Sequence, residues 1–282
     1  MRIVTRTVIG DMLQAQQFVR IPFTPVASTT LNEKFNIFAD ALPQANVWPS
    51  LNYFAIGVGG RALTAGVEGI IKTVPVPHRA TDTALYRQIP FILRRETQDL
   101  TAEQRANYAL RREETHNGVR YYAYYLKRFD KTNLTSNLWR TSKVNGVDTT
   151  VPFTPNNSNL NPTPPELPVS GQVQNLTNGD FVSVSILTNI SLTPFDVAEL
   201  IEVSKVLFGS EDYAVISEIA LVSGTDRSVT VTGTGGVQIS FNEAVHTQVT
   251  TFISADNSLT NASSGLDLII DVGATESLLT HV

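Results

Sequence analysis

ALYRQIPFILRRETQDLTAEQRANYALRREETHNGVRYYAYYLKRF, residues 84–129, holds the clearest strand, the clearest helix start, the clearest hairpin turn and the densest positive charge of this 282-residue chain. Leu85, Ile89, Phe91 and Leu93 keep one short run apolar while arginines interrupt it, as in a strand bounded by charged loops. Thr101-Ala-Glu-Gln104 has capping-box spacing, in which hydroxyl and amide side chains each satisfy an orphan backbone group, and a short helix is predicted there. Both central residues of a type I′ turn need positive φ, so Asn117-Gly118 predicts a hairpin joining residues 110–115 to 119–128. In its second arm Tyr121 and Tyr125 share one face, Tyr122 and Tyr124 the other, and both faces are expected to meet protein.

Upstream, Met1 to Gly10 is β-prone, and Asp11 is the predicted cap of a short helix through Met12, Leu13 and Phe18. Pro22, Pro25, Pro43 and Pro49 favour extended chain around one helix near 32–42. Residues 1–50 are therefore read as an N-terminal arm with short helices. Residues 51–282 are read as a single β-rich domain, interrupted at about 131–180 by a proline-, asparagine- and threonine-rich excursion. Gly57, Gly59 and Ala62 match the dinucleotide pattern G-x-G-x-x-A after an apolar strand, and Asp82 falls where a ribose-binding acid would stand. A helix should open at that turn, yet Gly66, Gly69, Pro75 and Pro77 follow within a β-prone segment, so a glycine-bearing β-turn is expected instead.

Downstream, residues 181–190 alternate as a strand, and Thr193-Pro194 opens the best helix: threonine at the cap, proline at the first position, Gly209 as the stop. Val197, Leu200, Ile201, Val203, Leu207 and Phe208 supply its buried side. From Tyr213 the chain is β again, with Gly233-Thr-Gly-Gly236 read as a hairpin turn rather than a phosphate cradle. The fold class expected is mainly β with a few helices (α+β), an antiparallel sandwich or barrel-like core with extended arms and a long proline-rich loop.

The chain is 42% hydrophobic and 17% charged, against about 25% charged in soluble domains, and holds no cysteine, which removes disulfides, thiolate chemistry and cysteine-based zinc sites. No signal peptide or bilayer-length apolar run stands out, so a soluble chain made in the cytoplasm is expected. The net charge of −5 conceals a segregation: residues 79–143 carry 13 basic and 7 acidic side chains, residues 144–282 carry 2 and 15. Either unlike patches of neighbouring protomers meet, or the fold mixes the two regions within one protomer.

Nothing local assembles a catalytic set. His78, His116, His246 and His281 are scattered, with no second histidine or carboxylate read as completing a metal motif on a helix face. Glu113-Glu114 and Glu211-Asp212 are neighbours that point different ways. The arginine-rich middle has seven acids interleaved, which argues against a nonspecific phosphate groove. No enzymatic turnover, no cofactor and no metal are expected.

The segments NYFAIGVGG, DTALYRQIPFILRR, DLTAEQRANYALR, the Asn-Gly hairpin into YYAYYLKRFD, YAVISEIALVSG and the closing DVGATESLL resemble virion structural proteins of contractile-tailed bacteriophages, of the neck (head-to-tail joining) or baseplate type, from about Asn52 onward. The resemblance implies a β-rich protomer repeated in a homo-oligomeric ring, assembled in the host cytoplasm and resident in the virion. Its neighbours would be proteins of the head-completion, tail-terminator or baseplate kind, with passive DNA contact in a lumen and no membrane. The expected function is a neck protein joining the head and portal assembly to the tail. The alternatives are a baseplate or other tail protein, a capsid-associated protein, a nucleotide-dependent enzyme built on Gly57 to Ala62, and a carbohydrate-binding sandwich using Trp48 or Trp139. Arg94, Arg95, Arg111, Arg112, Arg120 and Arg128 are the expected contacts to a neighbour's acidic half. Pro162, Pro164, Pro165 and Pro168 of the excursion and Leu278 and Leu279 of the apolar tail complete the contact set.

Overall fold

The computed structural model describes residues 2–22, 32–36, 47–66, 70–162, 175–232, 236–259 and 265–281. The chain forms two compact units: Met1–Phe129 with Ser191–Leu266, and Asp130–Ile190 with Asp267–Val282. It is mainly β with a few helices, as expected, and every strand pair with a described register is antiparallel.

In the first unit, strand β1 (Ile3–Arg6) runs straight into helix α1 (Val8–Val19). A four-residue helix, α2 (Asn32–Phe35), precedes β2 (Ser50–Gly57), β3 (Arg61–Ala65), β4 (Ile71–Pro75), β5 (Gln88–Ile89), β6 (Ile92–Arg95), helix α3 (Ala102–Arg105), β7 (Tyr108–His116) and β8 (Val119–Arg128). In the second unit lie β9 (Ser136–Val144), β10 (Val147–Pro152), helix α4 (Asn157–Leu160) and β11 (Asn175–Leu192). Helix α5 (Pro194–Phe208), β12 (Val215–Thr232) and β13 (Gln238–Ser258) return to the first unit, and β14 (Leu266–His281) goes back to the second. The first unit's main sheet has the order β1-β13-β12-β2-β8-β6, with β5 on β2 and β7 on β8, while β3 and β4 form a separate ribbon.

Both faces of this sheet are covered at its centre. Tyr53 and Ala55 of β2 join a cluster with Leu110, Ala123, Leu126, Val222, Phe252 and Val203 of α5. The alternate residues Phe54 and Ile56 are equally buried, and Phe54 meets Phe91 edge-on, with centroids 5.3 Å apart. Tyr121 to Leu126 are all buried, as the two-faced aromatic pattern of β8 required.

Local signals decide several elements as expected. Asn117 (φ 50°) and Gly118 (φ 76°) turn β7 into β8, the capping box at Thr101 opens α3, and Thr193, Pro194 and Gly209 (φ 81°) bound α5. The first helix differs: Thr7, not Asp11, is its cap, accepting from the Gly10 amide at 3.0 Å, and Asp11 sits inside the first turn. The start of the N-terminal segment is anchored on the main sheet. Its strand pairs Ile3–Arg6 with β13, and a Cβ on Gly10 would stand 2.7 Å from the Thr250 carbonyl oxygen, so the helix lies against β13 backbone. Of the helix expected near 32–42, residues 37–42 lie outside the described residues, as do 233–235 of the hairpin turn between β12 and β13.

The start of the expected excursion is folded. Asn145 (φ 53°) and Gly146 (φ 80°) make the hairpin of β9 and β10, the first two strands of a four-stranded sheet in the order β10-β9-β11-β14. Register places Val147 and Val151 of β10, Leu138 of β9 and Val182 and Val184 of β11 on one face. Val147 is 66% exposed and every residue of β10 is exposed.

Candidate functional site

The arginines expected to reach a neighbour are largely occupied at home. Arg94 on β6 grips Glu199 of α5 through two hydrogen bonds, one of them Nε to Oε2 at 2.8 Å. Arg111 donates to Asp99 at 2.9 Å, and its guanidinium lies 3.5 Å from the Tyr122 ring centre. Arg112 binds Glu243 of β13 and the Phe35 carbonyl, and Arg128 binds Asp226 of β12 at 2.8 Å. Three of these acids belong to the chain's own acidic half, so the segregation seen along the sequence is partly cancelled by folding. Arg120 pairs with Glu113 and Glu96 on an exposed edge, and Arg95 is exposed. Pro162 is exposed, Pro164, Pro165 and Pro168 lie outside the described residues, Leu278 is half-buried on β14, and Leu279 follows it on that strand.

Tyrosines complete the same system. Tyr53 donates to Asp226, Tyr108 to Asp196, Tyr124 to Asp99 and Tyr125 to Glu114. Burial first, and the adjoining carboxylates second, push all four phenols far above their ordinary range, so they stay protonated donors. Asp196 is the hub of the set: fully buried at the start of α5, it also accepts from Lys127, the Thr193 amide and the Thr193 hydroxyl. Burial alone would raise its pKa, but Lys127, Thr193 and Tyr108 outweigh that and hold it below the usual carboxylate range. Glu243 goes the other way, raised by burial against the opposing pull of Arg112.

The most enclosed polar cluster was not legible as a site. Glu218, a lone acid in the apolar run of β12, is fully buried. Its Oε1 accepts from the amides of Gly59 at 2.9 Å and Arg87 at 2.8 Å; its Oε2 meets the Tyr86 amide at 2.9 Å and His78 Nε2 at 3.0 Å. The His78 ring is sandwiched between Tyr86 and Phe252 at 4.0 and 3.9 Å, and its Nδ1 faces Asp82 at 3.4 Å. Asp82 stands four residues after His78, but in a loop, where helical spacing rules do not apply. Glu218 is 140 positions from His78, and its one sequence signal is a charge inside an apolar strand.

This cluster also explains the glycines. A Cβ on Gly59 would stand 2.7 Å from Tyr86 Cβ, and one on Gly60 2.5 Å from the Ser217 carbonyl oxygen. The run mimics a nucleotide fingerprint because backbone crowds around Glu218, and it leads into β3 rather than a helix. With four donors on two oxygens and no exposed surface, Glu218 has no acceptor capacity for a substrate. It clamps the 58–60 turn and the 78–87 loop onto β12. Among the described residues, no group of three acids or histidines has the geometry to hold a metal ion. His116 meets Glu114 at 2.8 Å, and His246, at a positive φ of 56°, bonds Thr225 at 2.8 Å. Trp48 and Trp139 are both half-buried, and the Trp48 indole donates to the Ile21 carbonyl.

Among the described residues, several large aliphatic side chains are exposed on strands. In the ribbon of β3 and β4, Leu63 is 73% and Ile71 68% exposed, and on β14 Ile269 is 71% exposed. The ribbon is tied to β13 by the Arg61–Asp256 ion pair at 3.8 Å, and its register sets Leu63 and Ile71 diagonally across from each other on one face, so their exposed side chains form one apolar patch.

A family described as "Family of unknown function (DUF7208)" matches residues 1–282, so the chain belongs to that family. No curated protein and no solved structure matches it.

Proposed function

We propose that this member of DUF7208 is a structural component of a contractile-tailed phage virion, a self-associating neck-ring subunit that joins the head and portal assembly to the tail without catalytic turnover. The observation that carries the proposal is the set of large aliphatic side chains exposed on thin β-structure: Leu63 and Ile71 on the ribbon, Val147, Leu187 and Ile269 on the four-stranded sheet. Repeated subunits bury such surfaces against one another, which a monomer would have to make polar. The buried clamps on the polar side chains support the same role: Glu218, Asp196 and Asp99 spend their acceptors on holding strands and loops together. The place in the particle and the neighbours of head-completion, tail-terminator or baseplate kind come from the sequence resemblance, with DNA passing through a lumen as a passive contact.

Mass in solution followed by negative-stain imaging of the purified chain tests this. Rings or salt-sensitive higher oligomers are expected, and their symmetry separates a neck position from a baseplate one. A monomer that persists at high concentration and low salt overturns the self-associating reading.

A further inference from the structure

We propose that β4 of one copy adds to the open edge of β14 in a second copy of this chain, extending the four-stranded sheet across the subunit boundary. This rests on the self-associating reading above and assigns its surface.

Two unfilled edges motivate it. The strand β14 ends the order β10-β9-β11-β14, so among the described residues its outer backbone groups have no strand beside them. The ribbon's β4 also comes close to β13 but pairs as a strand only with β3, so among the described residues no ladder fills its outer edge. Unpaired edges with apolar side chains are templates for strand addition, in which main-chain hydrogen bonds supply affinity and alternate side chains supply specificity.

Charge and register fit. The described charges of the ribbon, Arg61 and Lys72, are positive, whereas those of β14, Asp267, Asp271 and Glu276, are negative. Setting Lys72 opposite Asp271 in an antiparallel pair puts Ile71 opposite Val272, Thr73 opposite Ile270 and Val74 opposite Ile269. One face then pairs Lys72 and Val74 with Asp271 and Ile269. The other pairs Ile71 and Thr73 with Val272 and Ile270. One pair of opposite charges, Lys72 with Asp271, and two aliphatic pairs, Ile71 with Val272 and Val74 with Ile269, fall directly across from one another, the arrangement that stabilises neighbouring strands, and Thr73 faces Ile270. A slip of one residue would set Lys72 opposite an aliphatic and expel Asp271 from its pair. Because the two edges are different surfaces, the contact is heterologous, head to tail, the kind that builds a ring where its rotation closes and a filament where it does not.

The chain's lack of cysteine makes a clean test. Residues directly opposite in an antiparallel pair have Cβ atoms about 4.5–5.5 Å apart, so Ile71→Cys and Val272→Cys should bridge under mild oxidation. Expected is a covalent dimer when the two single variants are mixed, little dimer from either alone, and a ladder of multimers from the double variant. Lys72→Asp or Asp271→Lys should each slow bridging about two- to fivefold, and the two together should restore it. Circular dichroism confirms folding of each variant before mixing. An internally bridged monomer from the double variant, no bridge, or equal dimers from each single variant overturns the proposal. Oligomers seen by mass without this bridge would remove the interface and leave self-association standing. A persistent monomer would remove both.

Discussion

Glu218 Oε2 and His78 Nε2 meet at 3.0 Å with both side chains fully buried, joining the start of β12 to a loop 140 positions earlier in the chain. The same carboxylate also holds three backbone amides, so its removal strands several donors at once. Glu218→Ala is expected to destabilise the chain by at least about 3 kcal/mol, since each buried unsatisfied donor costs about 1–3 kcal/mol. Urea unfolding measures the loss. Hydrogen exchange should show the amides of Gly59, Tyr86 and Arg87 deprotected first. Unchanged protection at those three amides would refute the clamp.

Lys127→Met should cost about 3–5 kcal/mol, because it leaves the buried Asp196 carboxylate without its cation. Adding Asp196→Asn should recover part of that loss, and a double-mutant cycle reads the coupling. Strict additivity of the two changes would show that the pair does not interact.

Acid sensitivity follows from the lowered pKa of Asp196. A carboxyl whose folded pKa lies below its unfolded one contributes stability that is present above the unfolded value and is lost as pH falls through the folded one. Unfolding free energy should therefore drop below the ordinary carboxylate range, with a shallower slope in Asp196→Asn. Glu243, with its pKa raised, has the opposite sign: its contribution is present below the unfolded value and lost as pH rises through the folded one. Glu243→Gln should flatten that higher-pH limb. Identical pH profiles for wild type and Asp196→Asn would contradict the ion-pair assignment.

Gly59→Ala should lower the melting temperature, by about 1–3 kcal/mol of overpacking, because its Cβ meets Tyr86 Cβ and the Arg87 amide nitrogen. Dinucleotides should leave the melting temperature of the unmodified chain where it is. A dinucleotide-dependent rise that Gly59→Ala abolishes without lowering the basal value would restore the nucleotide interpretation of this run.

Arg111→Glu should compromise the protomer itself, since that guanidinium is buried between Asp99 and the Tyr122 ring, whereas Arg120→Glu, on an exposed edge, should leave folding nearly unchanged. Thermal unfolding separates the two. Equal effects would mean that Arg111 is not held as the distances indicate.

What could be seen in advance was local. Asn117-Gly118, the capping box at Thr101 and the Thr193-Pro194 start of α5 each act within a few residues, so spacing alone reveals them. The failures have physical causes. Thr7 displaced Asp11 as a cap because β1 carries the chain onto the sheet edge and the helix begins as soon as it leaves. Asn145-Gly146 carried its usual hairpin meaning, but the prolines that follow drew β9 and β10 into the expected excursion. The arginines were noticed by number, while their partners Glu199, Asp226 and Glu243 are set by tertiary proximity that no spacing records.

The order of the strands also sets a clock. The residues of β9, β10 and β11 are separated from β14 by α5, β12 and β13, so the second sheet waits for its fourth strand until those elements of the first unit have been made. Until then β11, the strand that β14 covers, keeps one edge unpaired, and during synthesis that edge is open to invasion by another chain.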